Sequence, residues 1–156
     1  GELCPGNREE LLTAVRYHNN KTLPEDLPDA YVPLARLVRD ADKLDVFEVV
    51  GSHIDGGTIQ ELLPGIEEEG PVSAAVADEV RATGQASYDN VSSLRDFLTV
   101  QLTWVYDLNY PPSFGILSER DSLRHLVRFL EPQPQVTDLV AKALEHVERA
   151  SAQIYR

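Results

Sequence analysis

An all-α domain is the fold class this chain predicts, and three observations carry the prediction. Apolar residues return at three- and four-residue intervals in segment after segment, period-two alternation is scarce, and the connections are short, polar and marked by Gly and Pro, with no internal repeat. About six helices packed as a bundle follow, in a single domain over residues 1–156.

The first helix is expected from Asn7, which with Glu10 has capping-box spacing after the Pro5–Gly6 turn. Leu11, Leu12, Ala14 and Val15 give it a short apolar face that ends near Tyr17 and His18. Asn19, Asn20, Pro24 and Pro28 mark an irregular connection, after which Asp29 can cap the next helix and Pro33 can stand in its first turn. That helix, from Tyr31 to Val50, carries Leu34, Leu37, Val38, Ala41 and Leu44 as an apolar stripe. Gly51 and the Gly56–Gly57 pair break the pattern, with His53 read as an exposed turn residue between them.

Thr58 to Leu63 suits one or two turns, and Glu67 to Glu69 a solvated face. Gly70–Pro71 opens a helix with Val72, Val76 and Val80 along one side, ending by Gly84. The most hydrophobic segment runs from about Ser92 or Ser93 to Leu108 and is expected at the centre of the core, with Leu94, Phe97, Leu98, Leu102, Trp104 and Val105. Asp107, near its C-terminal end, meets the negative pole of the helix and calls for an Arg or another tertiary partner. Pro111 and Pro112 read as a break, and Ser118 with Asp121 as a cap for the helix bearing Leu123, Leu126, Val127 and Leu130. Pro132 and Pro134 end it, and from Thr137 a regular stripe of Val140, Ala143, Leu144, Val147, Ala150 and Ile154 follows. His125 and His146 belong to these last helices as surface or edge residues. The stripes at 91–108 and 137–154 suit a homodimer contact as well as a core.

The formal charge of −12, from 26 acidic against 14 basic residues, repels polyanions, and no Lys/Arg stripe interleaved with aromatics offsets it. Nucleic acid is therefore not an expected partner, and a phosphorylated small molecule would need a local cation or a metal. The single cysteine, Cys4, allows no internal disulfide. No run approaches the roughly 20 apolar residues of a membrane span, so a cytoplasmic protein with no membrane contact is expected. Gly-rich phosphate loops, zinc-finger spacings, HExxH and nucleophile elbows are all missing. The chain starts at Gly1 and has no methionine, which suggests a cleavage scar or a missing N-terminal segment.

Asp42 borders the apolar stripe of the second helix, where a carboxylate needs a partner: an ion pair with Arg39, a turn of hydrogen bonds, or a metal. Antiparallel packing of the first two helices would bring His18 near it. Two donors are a minor part of a six-coordinate shell.

The strings AVRYHNNKTLP (14–24) and LARLVRDADKLDVFEVV (34–50), and more loosely residues 96–130, resemble the HD-domain metal-dependent phosphohydrolases. That family's all-α core holds a divalent metal (manganese, iron or magnesium) through a first His, a His-Asp doublet and a later Asp. The resemblance makes Asp42 the last of these metal ligands. It places His18 beside the metal, as a ligand or as a catalytic residue on substrate phosphate, and it turns Lys43 towards that phosphate, with Arg39 a weaker candidate that more often pairs with Asp40 or Asp42. The reaction implied is hydrolysis of a nucleotide or other small phosphate ester.

No first His and no His-Asp doublet precede His18, and His53–Ile54 does not replace them. The resemblance thus implies a partial HD-like bundle lacking its N-terminal helices, inactive by itself, or else a site that has been lost. It also implies that the apolar sides of the first two helices are left exposed. The alternative function is a non-catalytic helical interaction or regulatory module with a degenerate site.

Overall fold

The computed structural model describes residues 5–130 and 133–153, with side chains from residue 8 onward. Eight α-helices form among them, joined by two short 3₁₀ turns, with no strand beyond an isolated bridge between Glu67 and Ser93. The all-α bundle expected from the periodicity is the fold. None of the described helices is long and apolar enough to cross a membrane.

Helix α1 (Pro5–Tyr17) starts before Asn7, so Asn7 lies within it; the side chain expected to cap is outside the described residues. Ala14 is fully buried against α2, whereas Leu11, Leu12 and Val15 point to solvent. Helix α2 (Val32–Asp55) is the long axis of the bundle, about 36 Å at 1.5 Å per residue, and touches α1, the single turn Ile59–Leu62 and the helices Pro111–Glu119 and Ser122–Leu130. Its N-cap is Tyr31, not Asp29, and Pro33 sits in the first turn as expected.

The expected α2 stripe is rotated. Leu44 is buried, but Leu34 and Val38 are only half-buried, and Leu37 and Ala41 are exposed. Ala35, Arg39, Asp40, Lys43, Phe47 and Val50 face inward instead. Three charged groups can be buried because each finds a partner between residues 107 and 113.

The helix also continues through Gly51, which serves as a notch: a Cβ there would lie 3.3 Å from the ring of His125 on α7. His53 is therefore in the last helical turn, half-buried, with its ring nitrogen 2.9 Å from the Thr58 hydroxyl. Helix α3 (Ile59–Leu62) is a single turn.

Helix α4 (Ala74–Thr83) begins at Ser73, whose side chain accepts from the Val76 N–H, so Val72 precedes the helix although it is buried. It ends at Gly84 with φ +77, a left-handed conformation that favours glycine. Helix α5 (Leu94–Leu102) opens with a complete capping box of Ser93 and Asp96 and runs into a 3₁₀ turn over Thr103–Asp107. Leu94, Leu98, Leu102 and Val105 lie in the core as expected, with Phe97 and Trp104 packed partly against it.

Asp96 is fully buried and accepts from Ser73 N at 2.7 Å, Ser92 N at 3.2 Å, Ser92 Oγ at 3.0 Å and Ser93 N at 3.3 Å. Burial pushes its carboxyl up, but the bonds from Ser73 and Ser92 together outweigh this and hold it below the usual range. A depressed folded-state value contributes stability that is present at neutral pH and lost as pH falls through that value. The urea midpoint is therefore expected to drop less steeply on acidification to about pH 3 in Asp96→Asn than in wild type, starting from a lower value.

Pro111 and Pro112 open a helix instead of breaking one, since α6 (Pro111–Glu119) has them at its first positions, where no N–H is needed. Its cap comes from α2: Asp40, 1 % exposed, accepts from Asn109 N and Nδ2, Tyr110 N and Ser113 Oγ. Ser118 lies inside α6, so it is not a cap, and Asp121 adopts φ +55 just before α7 (Ser122–Leu130). Leu123, Leu126, Val127 and Leu130 face the core as expected. Helix α8 (Thr137–Ser151) buries Val140, Ala143 and Val147, and half-buries Leu144 and Ala150, against the bundle; Ile154 lies outside the described residues. The described apolar residues of the α5 and α8 stripes pack into or against the core. His125 and His146 are both half-buried edge residues, His125 bonding Asp55 at 3.0 Å and His146 packing against Tyr106 and Phe114.

Candidate functional site

Helices α1 and α2 pack so that the end of the first meets the middle of the second, and a cleft of about 330 Å³ opens there. His18, Arg39, Asp42 and Lys43 all line it. The four residues singled out from sequence are therefore neighbours in the fold. The loop 85–89 and the 3₁₀ turn complete the lining with Tyr88, Trp104 and Asp107.

Arg39, 3 % exposed, pins the loop after α1. It donates to the carbonyls of Tyr17 at 3.3 Å, His18 at 3.4 Å, Asn20 and Lys21 at 3.3 Å, and to Asp107 Oδ2 at 2.6 Å. Its carboxylate partner is thus Asp107 and not Asp40 or Asp42, because Asp40 is engaged with the start of α6. Lys43 reaches the same Asp107 oxygen at 2.8 Å. The tertiary partner called for at Asp107 is present twice over.

His18 is positioned by its own helix end: Nδ1 lies 2.6 Å from the Val15 carbonyl. A carbonyl only accepts, so Nδ1 carries the hydrogen, and in the neutral ring Nε2 holds a lone pair. That nitrogen is 3.8 Å from Asp42 Oδ1, with both side chains more than a third exposed. With the ring neutral, two electron-pair donors face each other on the cleft wall. A proton, a water or a cation between them relieves the contact.

The far wall has no periodic signal in the sequence, since residues 87–90 (SYDN) are mostly polar. Glu79 on α4 suspends this loop by accepting from Ser87 N and Asn90 Nδ2, each at 2.9 Å, and these bonds hold its carboxyl below the usual range. Tyr88 is half exposed, and burial of its hydroxyl followed by the nearby charge of Asp42 pushes the phenol up to about 12. Trp104, the only tryptophan in the chain, was assigned to the core; it packs edge-on to Phe47 at 6.1 Å while also lining the cleft. An aromatic in a Ser/Asp/Asn turn was the available signal, and Tyr88 is that aromatic.

The pair His18–Asp42 sets side by side two donor types that divalent cations accept, an imidazole whose Nδ1 meets a carbonyl and a carboxylate. It fits two positions of such a shell. Among the described residues no group of three or more His, Cys, Asp or Glu gathers to fill more. Asp107 is not a third donor here, since the oxygen that faces the cleft cations is shared by Arg39 and Lys43. Comparison of the chain with protein-family models, with curated proteins and with solved structures finds no match in any of the three.

Proposed function

We propose that this cleft is part of the active site of an HD-type metal-dependent phosphohydrolase acting on a nucleotide or another small phosphate ester. The observation that carries the reading is the facing pair His18 Nε2 and Asp42 Oδ1, two donors whose lone pairs call for a cation between them. A divalent cation bound there would supply Lewis-acid charge to phosphate chemistry. His18 and Asp42 would hold it by two of its positions. Lys43, almost buried on the cleft wall, would neutralise a phosphate oxygen. In the overall reaction the phosphorus–oxygen bond to the alcohol breaks, water provides the replacing oxygen, and the leaving oxygen takes up a proton.

The sole tryptophan lines the cleft, so binding is readable without turnover. Titration with Mn²⁺ is expected to quench Trp104, and Asp42→Asn is expected to weaken that response at least about ten-fold. Quenching of equal strength in wild type and variant would sink the assignment of Asp42.

A second reading is favoured by a different observation. Leu12 at 59 %, Leu37 at 53 %, Val15 at 52 % and Leu11 at 39 % exposure leave the outer sides of α1 and α2 apolar. This is the exposure expected from the family resemblance, and it equally suits a helical interaction module with no working site. Wild type that gives no Mn²⁺ response at all would favour that module.

A further inference from the structure

Asp107 occupies the place where an anion would be bound. Its Oδ2 is gripped by the Arg39 guanidinium at 2.6 Å and the Lys43 ammonium at 2.8 Å, the donor set that recognises phosphate. The two cations are nearly buried, at 4 % and 9 % side-chain exposure, while the carboxylate between them is 30 % exposed on the cleft wall. Arg39 has four carbonyls besides Asp107, so it is held in place without it. Among the described residues, Lys43 is paired with Asp107 alone.

The charge around the cleft is balanced as well. Lys21, Arg39 and Lys43 line it together with Asp42, Asp89 and Asp107, so a phosphate entering a chain of net charge −12 finds no surplus of positive charge there. Adding one divalent cation tips that balance towards anions. So would neutralising one carboxylate.

We infer that Asp107 is an internal competitor for Lys43 that makes anion binding in the cleft conditional on a divalent cation. Without the cation, the ammonium stays on Asp107 and phosphate is refused; with it, phosphate displaces the carboxylate and takes Lys43. The inference rests on the reading above that this cleft receives phosphate beside a cation. Asp107 is a specificity-determining residue in this scheme and takes no part in bond making.

The probe is inorganic phosphate, followed through Trp104 fluorescence with and without Mn²⁺. Wild type is expected to respond to phosphate only when Mn²⁺ is present. Asp107→Asn keeps an oxygen acceptor for both cations and is expected to bind phosphate without metal at least ten-fold more tightly than wild type. The gain is expected to vanish in the double variant Asp107→Asn with Lys43→Met. Metal-free affinity that is unchanged or lower in a folded Asp107→Asn overturns the proposal. So does wild type that binds phosphate equally well with and without Mn²⁺, or not at all in either condition, and these two results need no variant. The Asp107 comparison is made without metal, so its failure is distinct from failure of Asp42 to bind Mn²⁺.

Discussion

Asp40→Ala is expected to lower the unfolding free energy by about 3–5 kcal/mol, a large part of what a domain of this size possesses. The carboxylate is 1 % exposed and serves four donors: Asn109 N and Nδ2, Tyr110 N and Ser113 Oγ, at 2.7 to 3.0 Å. Truncation leaves these groups without their acceptor at the start of α6, whose first turn has no other side-chain cap. It also cuts a tie between α2 and α6 that spans some 70 residues of sequence. Chemical denaturation should show a lower midpoint with an unchanged slope, and thermal unfolding a loss of about 10 °C. Asp40→Asn keeps the shape but turns an amide N–H₂ towards donors, so it should recover less than half of the loss. An effect below about 1 kcal/mol for the alanine variant would mean that water replaces the carboxylate, contrary to its burial.

Arg39→Ala is expected to cost about 2–4 kcal/mol and, at the same time, to dismantle the cleft. The guanidinium holds the carbonyls of Tyr17, His18, Asn20 and Lys21 around one planar fork, and that fork sets where His18 stands relative to Asp42. Arg39→Lys restores the charge beside Asp107 but cannot span four carbonyls with a point-like ammonium. Its Mn²⁺ quenching of Trp104 should therefore remain close to that of Arg39→Ala, even where its denaturation midpoint recovers in part. A lysine variant with wild-type quenching would show that charge alone positions His18.

These two residues also show where the sequence stopped being readable. Helices α4, α5, α7 and α8 are legible because the residues of their expected stripes are aliphatic or aromatic, and Gly84 marks the end of α4. Helix α2 is expected in the right place but ends five residues later than Val50 and is turned differently. Its Leu34–Leu37–Ala41 side looks like a core face, and nothing nearby in sequence announces that Arg39, Asp40 and Lys43 are matched by groups at 107 to 113. Burial of charge depends on partners that only the tertiary fold supplies. Gly51, Pro111 and Pro112 were misread for the converse reason, since each has a local meaning as a breaker and a tertiary one as a notch or a helix start. At the site, His18, Asp42 and Lys43 were singled out by resemblance and do come together. The wall made by Tyr88 and Trp104 is harder to read, because a loop hung from Glu79 has no periodic signature and Trp104 carries the periodicity of a core residue.

Helix α1 rests principally on α2 and turns Leu11, Leu12 and Val15 outward, so little apolar area is gained by keeping it in place. It is the element expected to open first, with amide protons that exchange well before those of α5. His18 rides at its end, and Arg39 grips the loop beyond it. Local opening of this one helix would therefore take the histidine away from Asp42 while the rest of the bundle stays folded, giving the cleft a lower free energy of disassembly than the domain that carries it.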